Sequence, residues 1–474
     1  MTRSPSPALL GALADTLGPK GFTTDTDTIA PWLTDWRGKY HGATAAMLSP
    51  ASTEEVAAVV RLCAAEDTAL VPQGGNSGMV GGATPDASGQ QLLLSLRRMN
   101  RIRAIDADAR TAVAEAGVVL ETFHGAVLER GMRFPLTLGG KGSATIGGLV
   151  STNAGGTQVL RHGTMRALVA GIEAVLPDGS IFGGLAPLKK DNRGYDLRHL
   201  LCGAEGTLGI VTAACLRLVP AAAVRRTAWA GLASPDDALL LLRRLDAVLG
   251  DAIEGFEILP QSSLDAVLRH IPQTRAPLSA PQPWHALIEL AGDDGDAMGN
   301  ALEAELAAAI EAGLIADVTI AKNDRESDDF WRLRDSISEA ERAEGPALQH
   351  DVSVPVDLMP RFIADNPARL VKAFPGVRTT SFGHLGDGNV HHHVRPPAGV
   401  DGKAWLTANG EAISRLVYHH VIELGGSISA EHGIGQMKRD LLAELDSPAR
   451  LAALRAIKSG LDPQGLFNPG KLIG

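Results

Sequence analysis

The chain has 474 residues, more than one hydrophobic core accommodates, so two or three domains are expected. Its 45% hydrophobic and 21% charged residues are those of a folded globular protein, which excludes disorder as the main state. Lys and Arg number 44 against 54 Asp and Glu, a formal charge of −10 that repels phosphate backbones; with no long basic run, no nucleic-acid partner is expected.

Near the N-terminus, residues 8–14 form an apolar stretch that stops at Asp15, too short for a signal peptide. No run reaches the ~18 apolar residues of a membrane helix, and a cytoplasmic location is expected. Cys63, Cys202 and Cys215, with no CxxC, offer neither a disulfide framework nor a thiolate metal site. Residues 45–50 read as a strand. Ser52 and Glu55 form a capping box ahead of Val56, Val59, Val60 and Cys63 at helical spacing, which predicts a helix to about residue 66. Residues 69–72 read as a second strand, so the chain opens as a βαβ unit.

From 70 to 220 helices thin out, and Asp178-Gly179 between two apolar runs predicts a hairpin. Beyond Pro220 strand-like segments (225–233, 252–258, 285–291, 315–321, 347–356, 376–383) alternate with amphipathic helices (235–249, 296–313, 326–344). This texture predicts a separate α+β domain over 221–425, with a boundary near 220 and a helical return over 426–474.

Three glycine clusters, each next to a strand, lie within 140 residues. The first holds Pro72, Gly74, Gly75, Asn76, Ser77 and Gly81. The second runs from Gly139 through Ser143, Gly147 and Gly148 to Thr152, Asn153 and Gly155. The third is Gly203 to Ile210. Any one of them could be a tight turn. Together they suit a dinucleotide, because uncovered backbone N–H groups form anion-binding nests. No GxGxxG occurs, so a standard NAD site has no support. The Walker-like stretch Gly465 to Lys471 is followed by Leu472 and fails as a P-loop.

His384 and His391, seven apart, share neither a helix face nor a strand face. The turn Gly386-Asp-Gly388 can nevertheless fold both imidazoles to one point. In the following strand, period two puts Asn389, His391 and His393 on one face and His392 on the other. Glu431-His432 is expected just ahead of a helix, and Arg334 and Ser338 are expected on one face of the helix 326–344.

Six motifs, PQGGNSGMVGG, GGKGSATIGGLVSTNAGG, KKDNRGYDLRHLLCGAEGTLGIVT, GHLGDGNVHHHV, SAEHGIG and LFNPGK, carry a resemblance that extends over most of the chain, from about residue 30 to 474. With them the chain resembles the FAD-binding type 4 oxidoreductases of the vanillyl-alcohol-oxidase-like fold. These include D-2-hydroxyglutarate dehydrogenase, flavin-type D-lactate dehydrogenase and the glycolate oxidase flavin subunit. The resemblance implies an α+β fold: a two-subdomain FAD-binding domain (1–220 with 426–474) plus an α+β cap with a largely antiparallel sheet. It implies FAD held by Pro72, Gly74 to Ser77, Gly81, Gly139, Ser143, Gly147, Gly148, Thr152, Asn153, Gly155, Glu205, Gly206, Gly209, Ile210 and Asn468. Residues 71–82 contain no linking His, so non-covalent FAD is expected.

The resemblance further implies a divalent metal on His384, His391 and Glu431, with zinc suiting the donor set best. His432 is implied as the base, and substrate contacts are implied at Arg334, Ser338, Gln349 and His393. The implied reaction oxidises a D-2-hydroxy acid to its 2-oxo acid, with hydride passing to flavin N5. D-2-hydroxyglutarate leads, and D-lactate or a glycolate-type acid is the alternative. Gln349 and His393 depart from the Lys and Asn frequent in the diacid branch, which removes a positive charge from the implied pocket. An electron-transfer flavoprotein or quinone is the expected acceptor, and a homodimer is compatible. Two readings from other classes stay open at this point: a flavin-free metallohydrolase and a non-catalytic oxidase subunit.

Overall fold

The computed structural model describes residues 4–222 and 224–473. The chain divides into two compact units. The first comprises the chain up to Gly156, Gly163–Ala221 and the chain from Glu431 on; the second comprises Thr157–His162 and Ala222–Ala430.

The first unit holds two main sheets. Helix Thr53–Ala65 starts where the Ser52 side chain accepts the Glu55 N–H, while the Glu55 carboxylate accepts the Ala51 N–H at 2.7 Å. Val56, Val59, Val60 and Cys63 form its buried face. The strands on either side of this helix are Met47–Leu48 and Leu70–Gln73. Both run parallel to Leu92–Ser95, which lies between them. The opening βαβ crossover therefore skips one place. All four residues of Leu92–Ser95 are buried, which suits the position paired on both edges.

The second sheet is antiparallel, in the order Ile102–Asp106, Thr111–Glu115, Ile210–Arg217, Val169–Val175, Ile181–Gly184. Its last two strands are joined at Asp178-Gly179, where the Asp178 carboxylate accepts the Ser180 N–H at 2.9 Å. The chain from Glu431 completes this unit. Leu70 N–H donates to Leu466 O at 2.9 Å and Asn468 N–H to Leu70 O at 2.8 Å, which covers the outer edge of strand Leu70–Gln73.

The second unit is built on seven antiparallel strands. Their order is Asp317–Ile320, Val224–Leu232, Trp284–Gly292, Ile253–Pro260, Arg378–His384, Asn389–Arg395, Leu348–Ser353. The central strands are buried along nearly their whole length, so both faces are covered. Trp229, Leu264, Val267, Leu287, Phe330, Leu333, Ile337 and Phe382 belong to one core cluster.

The single helix expected over 326–344 is two helices, Asp324–Asp335 and Ile337–Ala343, broken at Ser336 (ψ −6). Two charged anchors pull the halves to different partners: Arg334 goes to Glu257, and Glu341 goes to Arg395 and His393. Serine, a weak former of helix interiors, sits where they diverge. Arg334 and Ser338 consequently do not share one helix, and Ser338 is exposed. Among the described residues, no helix is long and apolar enough to cross a membrane.

Candidate active site

In the second unit the candidate site histidines His384, His391 and His393 lie on one hairpin. Strands Arg378–His384 and Asn389–Arg395 pair Phe382 with His391 and His384 with Asn389. The turn demands glycine at 388. Its φ is +79, and a Cβ there would stand 2.1 Å from Val354 O. The hairpin brings His384 and His391 edge to face with centroids 5.5 Å apart, and a ligand nitrogen of each lies within 4.8 Å of the other.

Alternation sends His391 and His393 to the same face, each 5.2 Å from the Phe382 ring. His392 points oppositely. There Asn366 Nδ2 donates to its Nε2 at 2.9 Å and its Nδ1–H reaches Ser381 Oγ at 2.8 Å. Burial holds His392 well below the ordinary histidine pKa, so it is a neutral core residue.

Three carboxylates that the motif reading did not single out surround this face. Glu257, 1% exposed, takes His384 Nδ1 at 2.6 Å on one oxygen and Arg334 Nε at 2.8 Å on the other. Burial alone would raise its carboxyl pKa; Arg334 and His384 outweigh that and hold it below the usual range. Glu341 lies 3.3 Å from His393 Nδ1 and 2.6 Å from Arg395. Asp351, opposite His391 across the sheet, accepts from Asn389 Nδ2 at 2.9 Å and stands 3.8 Å from His391 Nδ1. Gln349 is the cross-strand partner of His393.

In the first unit the glycine loops interlock. A Cβ on Gly75 would meet Ser143 O at 1.7 Å, and one on Gly74 would meet Thr145 Oγ1 at 2.2 Å, so these two clusters touch backbone to backbone. Gly147 packs closely on Ala116, and Gly206, Gly209 and Gly81 pack on the side chains of Pro72, Leu201 and Tyr40. Gly139 and Gly78 face open space.

Several polar residues of the expected FAD set carry intramolecular bonds. Asn76 Nδ2 donates to Thr34 O, Asn153 Oδ1 accepts Arg166 N–H, and Thr152 Oγ1 donates to Gly148 O. The Ser143 hydroxyl donates to Gly140 O. Ile210 opens the strand that pairs with Val169–Val175. Among the buried oxygens that lack a protein partner are Thr145 Oγ1 beside Gly74, and Asn468 Oδ1, whose amide nitrogen spans Gly82 O and Glu205 O. The Thr145 hydroxyl can donate to a phosphate and Asn468 Oδ1 can only accept, so beside the interlocked glycine loops they fit a cofactor that presents both acceptors and donors.

Glu431 and His432 begin the C-terminal part of this unit. They do not sit just ahead of a helix, because the next one starts at Arg439. The intervening backbone is spent elsewhere. Glu205 accepts the amides of Ile434 and Gly435, both at 2.7 Å, and Val80 O accepts those of Gln436 and Met437. Gly433 and Gly435 are left-handed, which forbids a helical turn. The Glu205 carboxylate thus ties the His432 loop to the third glycine cluster.

Two family models match. The FAD binding domain model covers residues 44–183, and the model of the C-terminal domain of FAD linked oxidases covers 221–472. The Xanthomonas citri protein named D-2-hydroxyglutarate dehydrogenase is 38% identical over 93% of this chain and 91% of its own length. The mitochondrial D-2-hydroxyglutarate dehydrogenase of Arabidopsis thaliana is 36% identical over 96% of this chain and 80% of its own. A structure of p-cresol methylhydroxylase covers 98% of this chain and 96% of its own at a TM-score of 0.76 and 16% identity, which shows the same fold. With an FAD binding domain followed by this C-terminal domain, the chain belongs to the FAD linked oxidases.

Proposed function

We propose that the chain is an FAD-dependent dehydrogenase of a D-2-hydroxy acid, with D-2-hydroxyglutarate as substrate and 2-oxoglutarate as product. The observation that carries this reading is the paired imidazoles of His384 and His391, held on one hairpin in a chain with an FAD binding domain. The two imidazoles, with the Glu431 carboxylate, would hold a divalent cation, zinc by the borderline softness of the set. Such a cation, when bound, lowers the pKa of a coordinated hydroxyl, and FAD, when bound, takes up the hydride from C2. Neutral His432 receives the hydroxyl proton on a ring nitrogen. His391 binds and orients, steadied by Asp351. FAD would be held without a covalent link, with an electron-transfer flavoprotein or a quinone as the electron acceptor.

A second reading, D-lactate, is favoured by one contact. Arg334 is paired with the buried Glu257, so their combined charge is near zero and a second substrate carboxylate gains less from it. Dye-coupled turnover of both enantiomers of 2-hydroxyglutarate and lactate decides. A higher kcat/KM for D-2-hydroxyglutarate supports the leading reading, a preference for D-lactate replaces it, and no turnover of either acid sinks both. His432→Ala is expected to slow the chemical step by roughly 10²–10⁴-fold, read in single-turnover flavin reduction; a variant within a few-fold of the parent removes His432 from the mechanism.

A further inference from the structure

Glu257 lies on strand Ile253–Pro260, outside every motif of the family resemblance, yet it is buried against the hairpin histidines. One of its oxygens is 2.6 Å from His384 Nδ1, which is in-line hydrogen-bond range for a charged acceptor. The other holds Arg334 Nε at 2.8 Å. Arg334 Nη2 stands 3.3 Å from His384 Nδ1 and 3.2 Å from Nε2. A point in the ring plane that far from both nitrogens would collide with Cε1. The guanidinium therefore lies over the imidazole face, where it meets the ring's π-cloud and takes neither lone pair.

We infer that Glu257 is a positioning residue that fixes the tautomer of His384. Its carboxylate holds the proton on Nδ1, so Nε2 is the ligating nitrogen, and through Arg334 it clamps the ring from one face. The inference rests on the metal reading above and deepens it. A carboxylate behind a ligating imidazole fixes ring orientation and raises ligand basicity, and losing such a partner typically weakens metal affinity by about 10–100-fold.

The test uses the full-length, FAD-loaded protein, titrated with Zn²⁺ against a chromophoric chelator. Glu257→Gln is expected to raise the Zn²⁺ Kd by about 10–100-fold while FAD per chain stays constant. Should this variant fail to fold, because Arg334 is left buried beside a neutral amide, Glu257→Asp decides. It keeps the charge but withdraws the carboxylate by one methylene, and it is expected to weaken Zn²⁺ in the same direction. Independently, ¹⁵N spectra of the histidine-labelled parent, assigned by difference against His384→Gln, are expected to show His384 protonated on Nδ1. Parental Zn²⁺ affinity in the folded Glu257 variant, or an Nε2–H tautomer in the parent, overturns the inference. A parent that binds no stoichiometric Zn²⁺ overturns the metal reading instead.

Discussion

At the scale of single residues, burial and partner chemistry assign proton positions. Trp229 Nε1 can only donate, and it reaches His285 Nδ1 at 3.1 Å, so the His285 proton sits on Nε2, 2.9 Å from Gln261 Oε1. Burial pushes the His285 pKa down to about 4. The unfolded chain takes up this proton near pH 6.5, whereas the folded chain resists it, so stability from His285 is complete above that pH. It is lost as pH falls toward 4, by up to about 3 kcal/mol. A histidine ¹⁵N titration checks this, and a His285 midpoint near 6.5 would contradict it. Arg334 makes a second case. Arg334→Ala leaves the Glu257 carboxylate buried with only His384 beside it, so the variant is expected to lose up to about 3–5 kcal/mol in urea unfolding with no substrate present. A loss below 1 kcal/mol would mean that the pair is not formed in solution.

At the scale of elements, turns and loop contacts carry the site. The hairpin of Arg378–His384 and Asn389–Arg395 works because Gly388 is left-handed and packs on Val354 O. Gly388→Ala is expected to cost at least about 1–3 kcal/mol from backbone strain alone, and to weaken the proposed Zn²⁺ binding by displacing His384 from His391. Equilibrium unfolding and chelator competition read the two effects, and an unchanged Zn²⁺ affinity would separate the turn from the imidazole pair. The break at Ser336 belongs to this scale too. Phe330, Leu333, Ile337 and Ala340 keep a helical spacing across it, which is why periodicity alone reads one helix. The break follows the anchors Arg334 and Glu341, whose partners lie on other strands.

At the scale of the whole molecule, an FAD binding domain without a linking His in residues 71–82 predicts that acid precipitation releases the yellow colour into the supernatant. Flavin retained in the pellet would show a covalent bond formed elsewhere. The local elements were legible from periodicity and caps, as helix Thr53–Ala65 illustrates with its Ser52 cap and buried Val56, Val59, Val60 and Cys63. The FAD linked oxidase family was legible from its motifs, because glycine loops must keep their spacing where a Cβ would collide with a neighbour, as at Gly74 and Gly75. Tertiary structure alone decided which charges meet: Glu257 is 127 residues from His384 and 77 from Arg334, and Glu341 is 52 from His393. It also decided the place of Leu92–Ser95 inside the opening crossover. The physical reason is the same in both cases. Periodicity and capping act over a few residues along the chain, whereas strand order and buried ion pairs are set by which surfaces exclude water together, and no local pattern encodes that.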